Sequence, residues 1–229
     1  MKVAIMQPYY LPYIGYFQLI NAVDMFVIYD DVQYIKGGWI NRNNIIINNE
    51  KFMFNLLLNG ASSNKLINEI TINPNQTKFL KTLKNAYGRT VNYNLIYPII
   101  CRLFQINEIN LSKFIGNNIR EICDYLNIQT KIIYSSELYK DNNLKSQDKV
   151  IQICNILKAD KYINSLGGQS LYDCKEFEEN GLELLFLKPN IQSYKQFNNE
   201  FIPNLSIIDV LMFNSVDQIS YMLHQYELI

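Results

Sequence analysis

Asp30 and Asp31 close a short apolar run, and Gln33, Lys36, Trp39, Asn41, Arg42 and Asn43 follow within about a dozen residues. Paired carboxylates beside a lysine and an arginine suit several kinds of chemistry. They can hold Mg²⁺ with a phosphorylated ligand or accept a proton from an amine, while the guanidinium grips phosphate with two parallel hydrogen bonds. On that reading Asp31, Asp30 and Lys36 are the catalytic candidates, and Gln33, Trp39, Asn41 and Arg42 bind substrate. The plainer alternative is a capped turn in which Asp30 and Lys36 neutralise one another. Trp39 is the only tryptophan in the chain, and its ring can stack on a base or a sugar, or simply pack. Gly37 and Gly38 make a turn.

Two further stretches carry binding candidates. In "IMQPYYLPYIGYFQLI", Gln7, Tyr9, Tyr13, Gly15 and Tyr16 crowd the break made by Pro8 and Pro12. In "YINSLGGQSLYD", Asn164, Gly167 and Gly168 follow an apolar run. The glycine pair lets backbone approach a ribose or phosphate, or makes a tight strand-to-helix turn, with equal weight. Further on, Ser206 is placed to open a helix as its N-cap.

The elements that must position these residues follow from the apolar pattern. "KVAIMQ" (2–7) and "MFVIYD" (25–30) read as buried strands, and Tyr13, Tyr16, Phe17 and Ile20 recur between them at helical spacing, a βαβ unit. "NNIIINNEKFMFNLLL" places an Asn-Asn turn between two β-rich runs, a hairpin insertion over 43–58. Helical periodicity dominates 77–127, with Phe114, Ile115, Ile119, Ile122, Cys123 and Leu126 on one apolar face. Strands are expected at 130–136, 161–165 and 182–189, separated by helices at 147–157 and 170–178. Strand alternating with helix predicts one α/β domain over 1–229, a Rossmann-like, mostly parallel sheet of about five strands with helices on both faces. Ligands bind such sheets beyond the carboxyl ends of the strands, so the loops after Gln7, Tyr29 and Ser165 are expected to converge in one cleft.

Composition narrows the partners. Lysine plus arginine equal aspartate plus glutamate at 21 each, so no global field gathers DNA or an acidic membrane surface. The 229 residues, 48% hydrophobic, fill a sizeable core. The four cysteines are widely spaced and His224 is the only histidine, which argues against a zinc site or disulfide framework and for reduced thiols in the cytoplasm. No run reads as a signal peptide or a bilayer span. His224 reads as a surface or packing residue, and Cys154 and Cys174 have no histidine nearby to support a thioester mechanism.

The stretches "MQPYYLPYIGYFQLI", "YDDVQYIKGGWINRN", "YINSLGGQSLY" and "LSIIDVL", in that order and over almost the whole chain, closely resemble the WbqC-like family of bacterial proteins. The resemblance implies a setting in gene clusters for O-antigen and other surface polysaccharides, and modification of a sugar amine by an acyl or aminoacyl group. Its motif positions here are Gln7, Pro8, Tyr13, Gly15, Tyr16, Asp30, Asp31, Lys36, Trp39, Asn41, Arg42, Asn164, Gly167, Gly168, Ser206 and Asp209. A fainter resemblance, of "PYIGY" to the Pro-His-x-Gly-His helix start of the nucleotidyltransferase-like superfamily, implies that the helix after the first strand cradles a phosphate past Gly15. Tyrosines stand here for both histidines, which favours nucleotide binding over adenylyl transfer.

The expected function is therefore transfer of an acyl or aminoacyl group to a nucleotide-linked amino sugar, with Asp30 or Asp31 as base and Arg42 and Lys36 on the diphosphate. A non-catalytic nucleotide-sugar binding protein and an ATP-dependent adenylyl transferase or ligase are the alternatives. The acyl donor, a carrier protein among the options, the use of Mg²⁺ and the oligomeric state stay open.

Overall fold

A computed structural model describes residues 1–75, 77–105, 107–197 and 200–229. The chain opens with β1 (Lys2–Met6), α1 (Ile14–Asn21) and β2 (Met25–Ile28). A hairpin of β3 (Arg42–Ile47) and β4 (Glu50–Asn55), a small pair β5 (Leu58–Asn59) and β6 (Thr71–Ile72), and helices α2 (Thr77–Tyr87), α3 (Tyr93–Leu103) and α4 (Leu111–Tyr125) follow. Then come β7 (Lys131–Tyr134), α5 (Ser146–Ile156), β8 (Lys161–Ser165), α6 (Cys174–Glu179), β9 (Glu183–Pro189), α7 (Ile207–Phe213), α8 (Val216–Leu223) and β10 (Tyr226–Leu228).

The main sheet has six strands in the order β10-β9-β8-β1-β2-β7, parallel throughout except for β10. Its strands are apolar on both faces because both faces are covered. Val3, Ile5, Val27 and Tyr162 pack with Val150, Ile153, Cys154 and Phe177 of α5 and α6. Their neighbours Ala4, Phe26, Ile28 and Ile163 point the other way, into a larger core with α1, α4, α7 and α8. This is the Rossmann-like α/β layering expected from the sequence. Everything between β2 and β7, the hairpin and three helices included, is one long crossover between parallel neighbours.

Two details depart from expectation. The antiparallel edge strand β10 has only three residues, mostly exposed, too few to show a period. The helix expected at 170–178 begins later, after a 3₁₀ turn over Leu166–Leu171, because Asp173 caps it by accepting from the Lys175 amide at 3.0 Å. The hairpin turn, by contrast, is the expected one: Asn48 and Asn49 have φ of +52° and +66°, the double left-handed turn that asparagine tolerates and glycine prefers. Asn49→Gly is expected to raise stability by a few tenths to about 1 kcal/mol in urea denaturation by relieving that conformation; a loss would mean the asparagine side chain itself holds the turn.

Candidate functional site

Strands β8, β1 and β2 are adjacent and parallel, so the loops after them leave the same edge of the sheet. The first of these loops is the most constrained. Leu11 is buried with φ of +45°, a left-handed backbone that a branched side chain disfavours. Its carbonyl accepts from Asn43 Nδ2 at 2.8 Å and from Ser206 Oγ at 2.7 Å, and the Pro12 carbonyl accepts from the Ile207 amide at 2.8 Å. Loop, hairpin strand β3 and helix α7 are thereby locked together. They enclose an open cavity of about 310 Å³ lined by Tyr9, Pro12, Tyr13, Trp39, Asn43 and Asn204.

Trp39 is 46% exposed, so its ring is a wall available to a ligand. The Arg42 guanidinium lies 5.5 Å from the centre of that ring and donates through Nη2 to the Gly37 carbonyl. Its Nε is buried and has no partner among the described residues. A donor so placed is costly unless something accepts from it.

The tyrosines divide into two roles. Tyr16 is buried, donates to the Gln7 carbonyl at 2.9 Å and packs edge-on to Phe26, so it fixes the end of β1. Tyr9 and Tyr13 face the cavity; burial raises both phenols above the usual range, Tyr13 adding to the effect on Tyr9, so they are hydroxyl donors at neutral pH. The space that the fainter resemblance reserves for a phosphate is filled by the Tyr13 ring: a Cβ on Gly15 would lie 2.4 Å from it. Gly15 thus serves its own neighbouring ring.

The two aspartates have separate partners, as successive residues at a strand end must. Asp30 is buried; its oxygens accept from Ser112 Oγ at 3.0 Å, Ser136 Oγ at 2.8 Å and the Ser136 amide at 3.0 Å. Asp31 Oδ2 meets Lys140 Nζ at 2.8 Å and Lys149 Nζ at 3.1 Å, the three side chains being 9%, 1% and 7% exposed. Burial pushes the Asp31 carboxyl up, but Lys140, Ser135 and Lys149 outweigh it and hold it below the ordinary value. Ser135 acts there by proximity, since neither its hydroxyl nor Asp31 Oδ1 makes a hydrogen bond of ordinary geometry among the described residues. Two ammonium groups on one carboxylate oxygen do not fit a divalent cation, and no cluster of three or more His, Cys, Asp or Glu suited to a metal occurs among the described residues. Lys36 and Gln33 are exposed, and no ion pair joins Lys36 to Asp30 among the described residues. Asn41 is engaged with the Tyr34 hydroxyl at 2.7 Å and the Leu56 carbonyl at 3.0 Å.

Residues 7–221 match the WbqC-like protein family. The chain belongs to that family. It is 29% identical over 215 residues to the uncharacterized protein Rv1507c of Mycobacterium tuberculosis, an alignment that covers 92% of each chain. No solved structure matches.

The remaining WbqC-like motif positions lie outside the cavity lining. Asn164 accepts from the Ser165 amide at 2.8 Å, and a Cβ on Gly168 would meet its Nδ2 at 2.7 Å; neither residue lines the cavity, nor does Gly167. The Ser206 hydroxyl, donating to Leu11 and accepting from the Ile208 amide at 3.3 Å, is fully committed. Asp209 is a buried hub that accepts from Tyr87 at 2.7 Å, Tyr194 at 2.6 Å and Gln196 at 2.7 Å. His224 ends α8 on the surface, its Nδ1 2.8 Å from the Ser220 carbonyl. The structure therefore brings Tyr9, Tyr13 and Trp39 together with Arg42 beside them, while Asp31 and Gly168 stand apart. Asn204, in the left-handed region at φ of +58°, and the lysines Lys140 and Lys149 went unnoticed in the sequence.

Proposed function

We propose that the protein is a transferase acting on a nucleotide-linked amino sugar, forming an amide on the sugar nitrogen by N-acyl or aminoacyl transfer in surface polysaccharide biosynthesis. The observation that carries this reading is the open cavity walled by Tyr9, Tyr13 and Trp39 with Asn204, next to a guanidinium whose Nε lacks a partner among the described residues. Aromatic faces take up the apolar face of a sugar or base, a carboxamide pairs with hydroxyls, and the Arg42 fork suits a diphosphate. These substrates imply the cytoplasm.

In the reaction the neutral amine attacks the acyl carbon of an activated donor. A C–N bond forms, the bond from acyl carbon to the leaving thiol, alcohol or, for an acid activated by ATP, phosphate breaks, and the nitrogen's proton goes to the departing group. Asp31 is not the base, because its carboxylate is held by two lysines. That same observation favours a second reading, in which the protein binds the nucleotide sugar and presents it to another enzyme.

The test is to incubate the protein with a dTDP-linked amino sugar and, in turn, acyl-coenzyme A, acyl carrier protein, aminoacyl-tRNA, or a free acid with ATP. An amide mass shift on the sugar nucleotide is expected with one donor class. Saturable binding without a mass shift in all four would establish the second reading, and absence of binding would dispose of both.

A further inference from the structure

The open cavity does not end at Tyr13 and Asn204. Both residues also line a second, more enclosed space beside it, of about 10 Å³. That is roughly the room of one water molecule. Ile14, Ile191, Phe201, Leu205, Val210 and Met222 supply most of the wall, Gln192 and Tyr194 add polar groups, and no charged side chain lines it among the described residues. Gln18, also in the wall, donates through Nε2 to the carbonyls of Met222 and Gln225, each at 2.8 Å, whereas its Oε1 is buried with no partner among the described residues. A buried acceptor left without a donor is unfavourable, and a ligand N–H is one way to satisfy it. Tyr13 and Asn204 are common to the two spaces, and the Tyr13 ring is the far end of a side chain that rests over Gly15.

We propose that the enclosed space is the acyl subsite, and that it selects a short uncharged acyl group. The group enters when the Tyr13 ring swings outward, its methyl meets the apolar wall and its amide N–H donates to Gln18 Oε1. This rests on the amide-forming reading above and narrows it, since an aminoacyl ammonium would find no opposite charge in the wall. The Asp209 carboxylate, to which the wall residue Tyr194 donates, is already held by Tyr87, Tyr194 and Gln196.

The test is isothermal titration of the whole chain with a dTDP-linked amino sugar and its N-acetyl, N-butyryl and N-glycyl derivatives. The N-acetyl form is expected to bind roughly tenfold tighter than the free amine, the gain of burying one methyl group and pairing one N–H. The N-glycyl form gains nothing. Ile191→Phe, at a half-buried wall position, should abolish the N-acetyl preference by filling the space. Equal binding of free amine and N-acetyl by the unaltered protein, tightest binding of the N-glycyl form, or a preference that survives Ile191→Phe would each overturn the subsite. Failure of every derivative to bind overturns the nucleotide-sugar reading beneath it, and the subsite with it.

Discussion

Asp31→Asn should lose about 3–5 kcal/mol of stability in urea denaturation, the cost of leaving buried charge without its counter-charge. The carboxylate sits between Lys140 and Lys149, both almost wholly enclosed, and the Lys149 ammonium also donates to the Asp31 carbonyl at 3.0 Å. An amide in its place keeps the shape but leaves two ammonium groups facing each other. A double variant with Lys140→Met should recover part of the loss. The pH dependence has a definite sign: the folded carboxyl lies below its ordinary value, so its contribution is complete above about pH 4 and disappears as pH falls through the lowered value. The acid limb of the stability profile should therefore flatten in Asp31→Asn. A loss below about 1 kcal/mol, the range of an exposed pair, would mean the lysines find water and the cluster is not a structural keystone.

Arg42→Ala should weaken binding of the dTDP-linked amino sugar by about 1.5–3 kcal/mol, or roughly ten- to a hundredfold, the range of a hydrogen bond to a charged group. Arg42 lies over Trp39, is tied to Gly37 by one nitrogen and has a buried Nε unpaired among the described residues. That arrangement pre-orients the fork before a ligand arrives, so less freedom is lost on binding. Arg42→Lys keeps the charge but not the fork and should recover only part of the affinity. Unchanged titration of both variants would reduce Arg42 to a brace for the Gly37 turn.

The sheet was legible because burial on both faces gives its central strands apolar runs; β8, with Tyr162 and Ile163 buried on opposite faces, occupies the expected residues 161–165. The hairpin was legible because its turn needs two left-handed residues and the sequence offers Asn48 and Asn49. Clustering of aromatic residues at the break after β1 pointed to Tyr9 and Tyr13, and the solitary tryptophan to Trp39. What local pattern could not show is pairing across the chain. Lys149 looks like any helix lysine, except that it sits beside Val150, Ile151, Ile153 and Cys154 on the buried stripe of α5, and its partner is 118 residues away. Asp30 and Asp31 look alike in sequence and differ only through what each side of the strand end meets.

The left-handed Leu11 has a consequence for the order of assembly. Its carbonyl is held by Ser206, 195 residues further along, and the neighbouring Pro12 carbonyl by Ile207. Contacts so distant in sequence form late, because closing so long a loop must be offset by interactions that arrive only at the end. On the ribosome, β1, α1 and β2 emerge together and can pair early, yet the cavity wall built on residues 9–13 is completed only after α7 has been synthesised and has docked. A nascent chain can therefore pair its first two strands well before it has a pocket, and a ligand for that pocket reports on finished molecules alone.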